Sequence, residues 1–368
     1  MSYKILGRLP DPFLKSDGSR MTPCEWHAQR EELFSKICNT EYGGMPPRPE
    51  VVRVERLSAP RSDGMKNIYK IYAGTRERQV SFLLDVTAPP APIDGSVKFS
   101  VLLTGDGCYN CCESDTIARA ADMGFAVARF NRLELANDDK YAGRIGGIYD
   151  VYPNMTFTAI SAWAWGYSTV MDAFSEILHI DIENVGITGH SRGGKTVMLA
   201  AAADTRFKFV CPNNSGCHGA AVYRLKEWGF GYNGKSEELS DMFKNFPHWM
   251  GEGLREYIDR EEDLPYDMHF FGALIAPRYY MQIEGMQDYW SNPKASWVNV
   301  CAIRRAYKYL GCDEDNAVAL FRPGGHRHKL PDFEKFLEFM RCKIDGKPTP
   351  EHFKINPYPE VELDEILF

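Results

Sequence analysis

The sequence predicts an α/β architecture: a three-layer sandwich with a mostly parallel central sheet, antiparallel strands before it and one inserted capping region. Three observations predict it. From about residue 97 onward, short apolar runs alternate with helix-length segments, the pattern of strands buried on both faces between covering helices. Before that point, three β-rich runs are separated by turn residues, as in an antiparallel meander. Between 219 and 267 lies an aromatic, charged stretch without strand periodicity. It follows a strand end, the side of such sheets on which ligands bind, so it is expected to cap the crevice.

Composition bounds the rest. The chain has 368 residues, 44% hydrophobic, 25% charged and 13% aromatic, enough for a large core without fibrous or disordered bias. The net charge of −7 and the lack of a basic cluster exclude a nucleic-acid binder. No stretch approaches the roughly 18 to 20 apolar residues of a membrane span, and Met1 to Pro10 has no apolar run of signal-peptide type. The expectation is a cytoplasmic protein, or a secreted one if a leader is missing from this sequence. The ten cysteines are scattered and read as free thiols. Cys108 and Cys111 have C-x-x-C spacing, but no second cysteine or histidine pair matches it, so neither metal nor cofactor is expected. The expected partner is a small substrate, not nucleic acid or membrane.

The elements follow in order. Residues 1–50 read as an N-terminal arm carrying a helix over 23–38. Residues 51–345 read as one catalytic domain and 346–368 as a C-terminal tail. The meander covers 51–57, 67–72 and 79–86. Later strands are expected at 98–104, 125–130, 184–188, 207–211, 278–283 and 318–321. Helices are expected at 114–123, 158–178, 193–203, 294–310 and 332–342. Trp163 and Trp165, mid-helix, read as core.

The chemistry centres on Val185 to Lys195, a strand, then Gly189-His190-Ser191-Arg192-Gly193, then an alanine-rich helix. This is the G-x-S-x-G nucleophile elbow of the α/β-hydrolase fold. The serine must stand on a strained strand-to-helix turn, and small residues on both sides permit that turn. The helix N-terminus and the Arg192 amide supply positive potential for an oxyanion. In this fold the acid and then the histidine follow the serine in sequence. His326, after the last strand and a Gly-Gly turn, is the candidate base, and His328 the weaker alternative. Asp288, a few residues past the preceding strand, is the candidate acid, with Glu284 the alternative. The Thr104–Cys108 loop occupies the place from which a second oxyanion donor comes.

The segment Gly189 to Lys195 resembles the Gly-(Cys or His)-Ser-Arg-X-Gly-Lys motif of the glucuronoyl esterases, carbohydrate esterase family 15. Further segments match in order: Ala162–Gly166, Asp204–Phe207, Asn214–Ala220, Phe246–Trp249, Leu264–His269, Ala276–Arg278 and Asp288–Pro293. The resemblance implies metal-free hydrolysis of esters of 4-O-methyl-glucuronic acid in two acyl-transfer steps. It implies that the Arg192 side chain helps hold the oxyanion. Lys195, Trp290 and Glu237 (or its neighbour Glu238) would bind the sugar, and Trp249 would line the pocket. Fungal members of the family carry the acid where this chain has Asn214, which cannot act as an anion. That favours Asp288. An acetyl xylan esterase-like deacetylase and an inactive carbohydrate-binding relative are the alternative functions.

Overall fold

A computed structural model describes residues 2–59, 66–109, 111–229 and 234–368. Its main sheet has nine strands: β2 (Val51–Arg56), β3 (Asn67–Gly74), β4 (Gln79–Thr87), β5 (Phe99–Thr104), β6 (Phe125–Phe130), β7 (Ile180–His190), β8 (Phe209–Asn213), β10 (Tyr279–Gly285) and β11 (Ala317–Arg322). Two more strands, β1 (Ser2–Ile5) and β9 (Leu225–Trp228), form a separate antiparallel pair. The order across the sheet is β11-β10-β8-β7-β5-β6-β4-β3-β2. The six strands from β11 to β6 are parallel, and β4, β3 and β2 run antiparallel at the edge. This is the α/β-hydrolase arrangement that the sequence predicts.

The parallel strands read as continuous apolar runs because both faces are covered. Alternate side chains divide between two cores. Val101, Leu103, Ala126, Ala128, Val210 and Tyr280 face one core. Leu102, Phe125, Val127, Phe209, Cys211 and Met281 face the other. The first core is closed by the helices Ala159–Ala173 and Arg192–Ala203. The second is closed by the helices Ser114–Asp122 and Leu330–Ile344. Trp163 and Trp165 are buried as expected, donating their indole N–H groups to Ala136 O and Pro47 O.

The ends and the insertion differ from the sequence reading in their local structure. The helix expected over 23–38 runs on to Tyr42, stopped by Gly43 in a left-handed conformation. Its penultimate residue, Glu41, is fully buried and accepts hydrogen bonds from Tyr223, Tyr266 and His218. The insertion contains β9, which pairs with β1. Periodicity could not show this four-residue strand, because its inward Glu227 is buried against Lys294 at 2.9 Å instead of being apolar. The residues of the stretch read as a tail, 346–368, place Tyr358, Val361 and Ile366 in a third core with Leu9, Leu225 and Trp297. Part of the insertion, 230–233, lies outside the described residues.

Candidate active site

The nucleophile position follows from the turn between β7 and the next helix. Ser191 has φ 56° and ψ −119°, a strained backbone for a residue with a side chain. Close packing enforces it. A Cβ on Gly189 would lie 2.3 Å from Gly193 O, and one on Gly193 would lie 2.3 Å from Asp106 Oδ1. No other residue type fits either position. The Ser191 N–H donates to Asn213 O at 2.8 Å, tying the elbow to the end of β8. The Arg192 N–H opens the helix and so has no intrahelical acceptor.

The loop after β5 braces this turn. Asp106 accepts the His190 backbone N–H at 2.7 Å and is paired with buried Arg132. Sequence reading takes Gly105-Asp106-Gly107 only as turn chemistry or an oxyanion loop. No sequence motif marks Arg132. Only its place just past the end of β6 could have drawn notice.

Strands β10 and β11 deliver the other two groups. His326 Nδ1 lies 2.6 Å from Asp288 Oδ2. An ionised carboxylate can only accept, so Nδ1 carries the proton and Nε2 is left as the base. The same Oδ2 accepts from Asn214 Nδ2 at 2.6 Å, while Arg322 holds the Asn214 amide oxygen at 3.3 Å. Burial would raise the Asp288 carboxyl, but His326, Ser291 and Asn214 together bring it below the usual carboxylate value. Glu284, the alternative acid, is fully buried and accepts a hydrogen bond from Gln282, whereas the hydrogen bond to His326 comes from Asp288. Burial pushes it up to about 8. The His326 side chain is 42% exposed, whereas His328 is buried and stacked on Phe333 at 3.9 Å. The His190 ring packs against His326 at 4.4 Å, and burial, then the neighbouring His326, lower it to about 4.

Two further groups flank the serine. Arg192 donates through Nη1 to Asp138 Oδ2 at 2.5 Å and lies over the Trp249 ring at 4.6 Å. Trp249 is 2% exposed. Its ring packs against the guanidinium with almost no exposed surface of its own. Lys195, Glu237 and Trp290 come together as the sequence suggests. Trp290 Nε1 donates to Glu237 Oε1 at 3.1 Å, and Lys195 Nζ lies 3.4 Å from Glu237 Oε2. Lys195 is 3% exposed and also donates to Ser215 O and Cys217 O, so its ammonium sits behind the glutamate. Glu238 instead pairs with Lys235 at 2.8 Å and caps the helix Leu239–Asn245. Among the described residues no cluster of three or more His, Cys, Asp or Glu side chains could hold a metal ion.

Comparison with known proteins supplies the family. The family model described as glucuronyl esterase, fungi, matches residues 71–311. The chain belongs to the glucuronoyl esterase family. It is therefore a carboxylic ester hydrolase. It is similar to 4-O-methyl-glucuronoyl methylesterase 1 of Wolfiporia cocos, 26% identical, over 90% of this chain and 81% of that one. The carbohydrate esterase family 15 glucuronoyl esterase from Caldicellulosiruptor kristjansonii is similar in structure, with TM-score 0.83 and 27% identity over 97% and 96% of the two chains. A mutant glucuronoyl esterase from Sporotrichum thermophile, in complex with methyl 4-O-methyl-β-D-glucopyranuronate, shares the fold at TM-score 0.77 and 22% identity, over 98% of this chain and 94% of that one.

Proposed function

We propose that this esterase cleaves esters in which a glucuronic acid, with or without a 4-O-methyl group, is the acyl part. The observation that carries the reading is the 2.6 Å contact of His326 with Asp288 beside the strained Ser191 elbow. The names and ligand of the similar proteins support the sugar.

The geometry suits two acyl transfers. His326 Nε2 takes the Ser191 hydroxyl proton as the oxygen attacks the ester carbonyl. The tetrahedral oxyanion forms against the Arg192 amide at the helix N-terminus and the Arg192 guanidinium. Asp288 holds the ring tautomer and stabilises the imidazolium. The imidazolium then protonates the departing alcohol. Water, deprotonated by the same nitrogen, cleaves the acyl-enzyme and releases the uronate. Glu237 accepts from a sugar hydroxyl, held in place by the Trp290 indole and the Lys195 ammonium behind it. The Trp290 ring offers an apolar face for the pyranose.

A substrate panel tests this: methyl and benzyl glucuronates, 4-nitrophenyl acetate and acetylated xylan, each with wild type and Ser191→Ala. Turnover of glucuronates that vanishes in Ser191→Ala is expected. Activity confined to acetyl esters would replace the uronate reading with the deacetylase one. Activity surviving in Ser191→Ala would remove the nucleophile.

A further inference from the structure

Asp138 is a nearly buried carboxylate in direct contact with Arg192, yet no step above uses it. It stands on the loop after β6 and the short turn Arg132–Glu134, far in sequence from the elbow. Both of its oxygens are occupied. Oδ2 accepts from Arg192 Nη1 at 2.5 Å. Oδ1 accepts from Trp249 Nε1 at 2.8 Å and from His248 Nε2 at 3.0 Å.

Arg192 has a long side chain at the first position of a helix, beside a cleft. Left alone, such a chain samples many rotamers, and an oxyanion donor that must be ordered during the reaction loses much of its value. Here the guanidinium is fixed from two directions. Trp249 lies beneath it at 4.6 Å, and Phe246 at 5.6 Å, with the two rings stacked in parallel at 4.0 Å. Asp138 holds its Nη1 edge. Among the described residues Nε and Nη2 have no hydrogen-bond partner, so two donors remain for a ligand. The carboxylate is itself fixed, because Trp249 and His248 donate to its other oxygen. Burial would raise it, but His248, Arg192 and Trp249 hold it at about 2, so it stays an anion across the working pH range.

We propose that Asp138 is a positioning residue for the oxyanion: it clamps the Nη1 edge of Arg192 and so aims Nε and Nη2 at the carbonyl oxygen of the ester. This rests on Arg192 being the side-chain oxyanion group. Asp138 touches neither substrate nor the reacting atoms. Its negative charge is offset by the three donors around it, and what it adds is orientation. The same residue ties the loop after β6 to the insertion through Trp249 and His248. The insertion thereby acts on catalysis through the guanidinium as well as by shaping the cleft.

The test uses Asp138→Asn, Asp138→Glu and Arg192→Ala singly, and Asp138→Asn with Arg192→Ala together, on a methyl glucuronate. Asparagine is nearly isosteric and keeps an acceptor for the Trp249 indole, so the fold is retained. Removing one oxyanion donor costs about 10²- to 10³-fold in kcat, so misaiming it in Asp138→Asn should cost about 10- to 100-fold, with KM changed by less than about 3-fold. Asp138→Glu should recover part of that loss. On the Arg192→Ala background, Asp138→Asn should cost nothing further, because there is no guanidinium left to aim. A merely structural role would lower the thermal midpoint and slow both backgrounds equally. Unchanged kcat in Asp138→Asn, or full additivity with Arg192→Ala, overturns the proposal while leaving the oxyanion reading intact. Unchanged kcat in Arg192→Ala overturns both.

Discussion

Replacing Asp288 by asparagine isolates the charge of the acid from its geometry, and the surroundings of this residue make the outcome specific. Two donors, His326 Nδ1 and Asn214 Nδ2, converge on Asp288 Oδ2, each at 2.6 Å. An asparagine at 288 therefore turns its oxygen toward both of them, and the His326 tautomer is preserved. What disappears is the negative charge opposite the imidazolium. With roughly 4 Å between charge centres and an effective dielectric of about 20, that charge is worth about 4 kcal/mol. At about 1.4 kcal/mol per decade this gives a fall in kcat of about 10³-fold. Losing the tautomer as well gives about 10⁴-fold in serine hydrolases. So Asp288→Asn should lose about 10³-fold in kcat with KM nearly unchanged, and Asn214→Ala added to it should approach 10⁴-fold, because nothing then directs the amide. The assay is steady-state hydrolysis of a methyl glucuronate, with Ser191→Ala as the zero. A loss below about 10-fold, or an equal loss from Glu284→Gln, would refute the assignment of the acid.

Glu284 gives a pH signature in stability. Burial raises its folded value to about 8, above the unfolded value of about 4.3, so between those limits the unfolded chain releases a proton that the native one keeps, and stability falls as pH rises. Glu284→Gln should therefore gain on wild type by a few kcal/mol between pH 5 and 8 in denaturant titrations, with kcat little changed; identical pH slopes would refute this. Asp106→Ala leaves the Arg132 guanidinium buried without its partner and should cost about 3–5 kcal/mol, read as a large drop in thermal midpoint. Trp290→Phe leaves a smaller aromatic ring and loses the 3.1 Å bond to Glu237, so KM should rise several-fold while kcat holds; a change in kcat alone would place the indole elsewhere in the mechanism.

The parts of this molecule that sequence shows are those where one local rule decides the outcome. The two-faced strands, the alanine-rich helix and the tight elbow each follow from a period or from a glycine with no room for a Cβ, as at Gly193. Asp288 and His326 were legible because the fold fixes where such groups can stand relative to strand ends. The hidden parts depend on contacts between distant segments. Asp138 meets Arg192 across 54 positions and Trp249 across 111, and nothing in its own neighbourhood marks it. Trp249 was expected at the cleft because an aromatic residue suits a sugar, but the same ring suits a guanidinium, and only packing decides between them. Strand β9 was hidden because its buried Glu227 breaks the pattern that a strand would show.

The contact between Asn214 and Asp288 puts two positions from which an acid could act side by side in this chain. Asn214 follows β8 and Asp288 follows β10, two neighbouring parallel strands, and the two side chains touch at 2.6 Å. A carboxylate at either place can reach the same histidine. Carboxylates at both places would sit in direct contact, and two such groups cannot both ionise without one being raised sharply. The shared proton would then weaken the hold on the imidazolium. An amide at 214 avoids this and adds a donor to the oxygen that His326 uses. Moving the acid is therefore a paired exchange. Asn214→Glu alone should depress kcat at neutral pH, with kcat recovering as pH rises and the pair loses its shared proton. Asn214→Glu combined with Asp288→Asn should recover activity relative to Asp288→Asn. A double variant no faster than Asp288→Asn would show that the end of β8 cannot carry the acid in this chain.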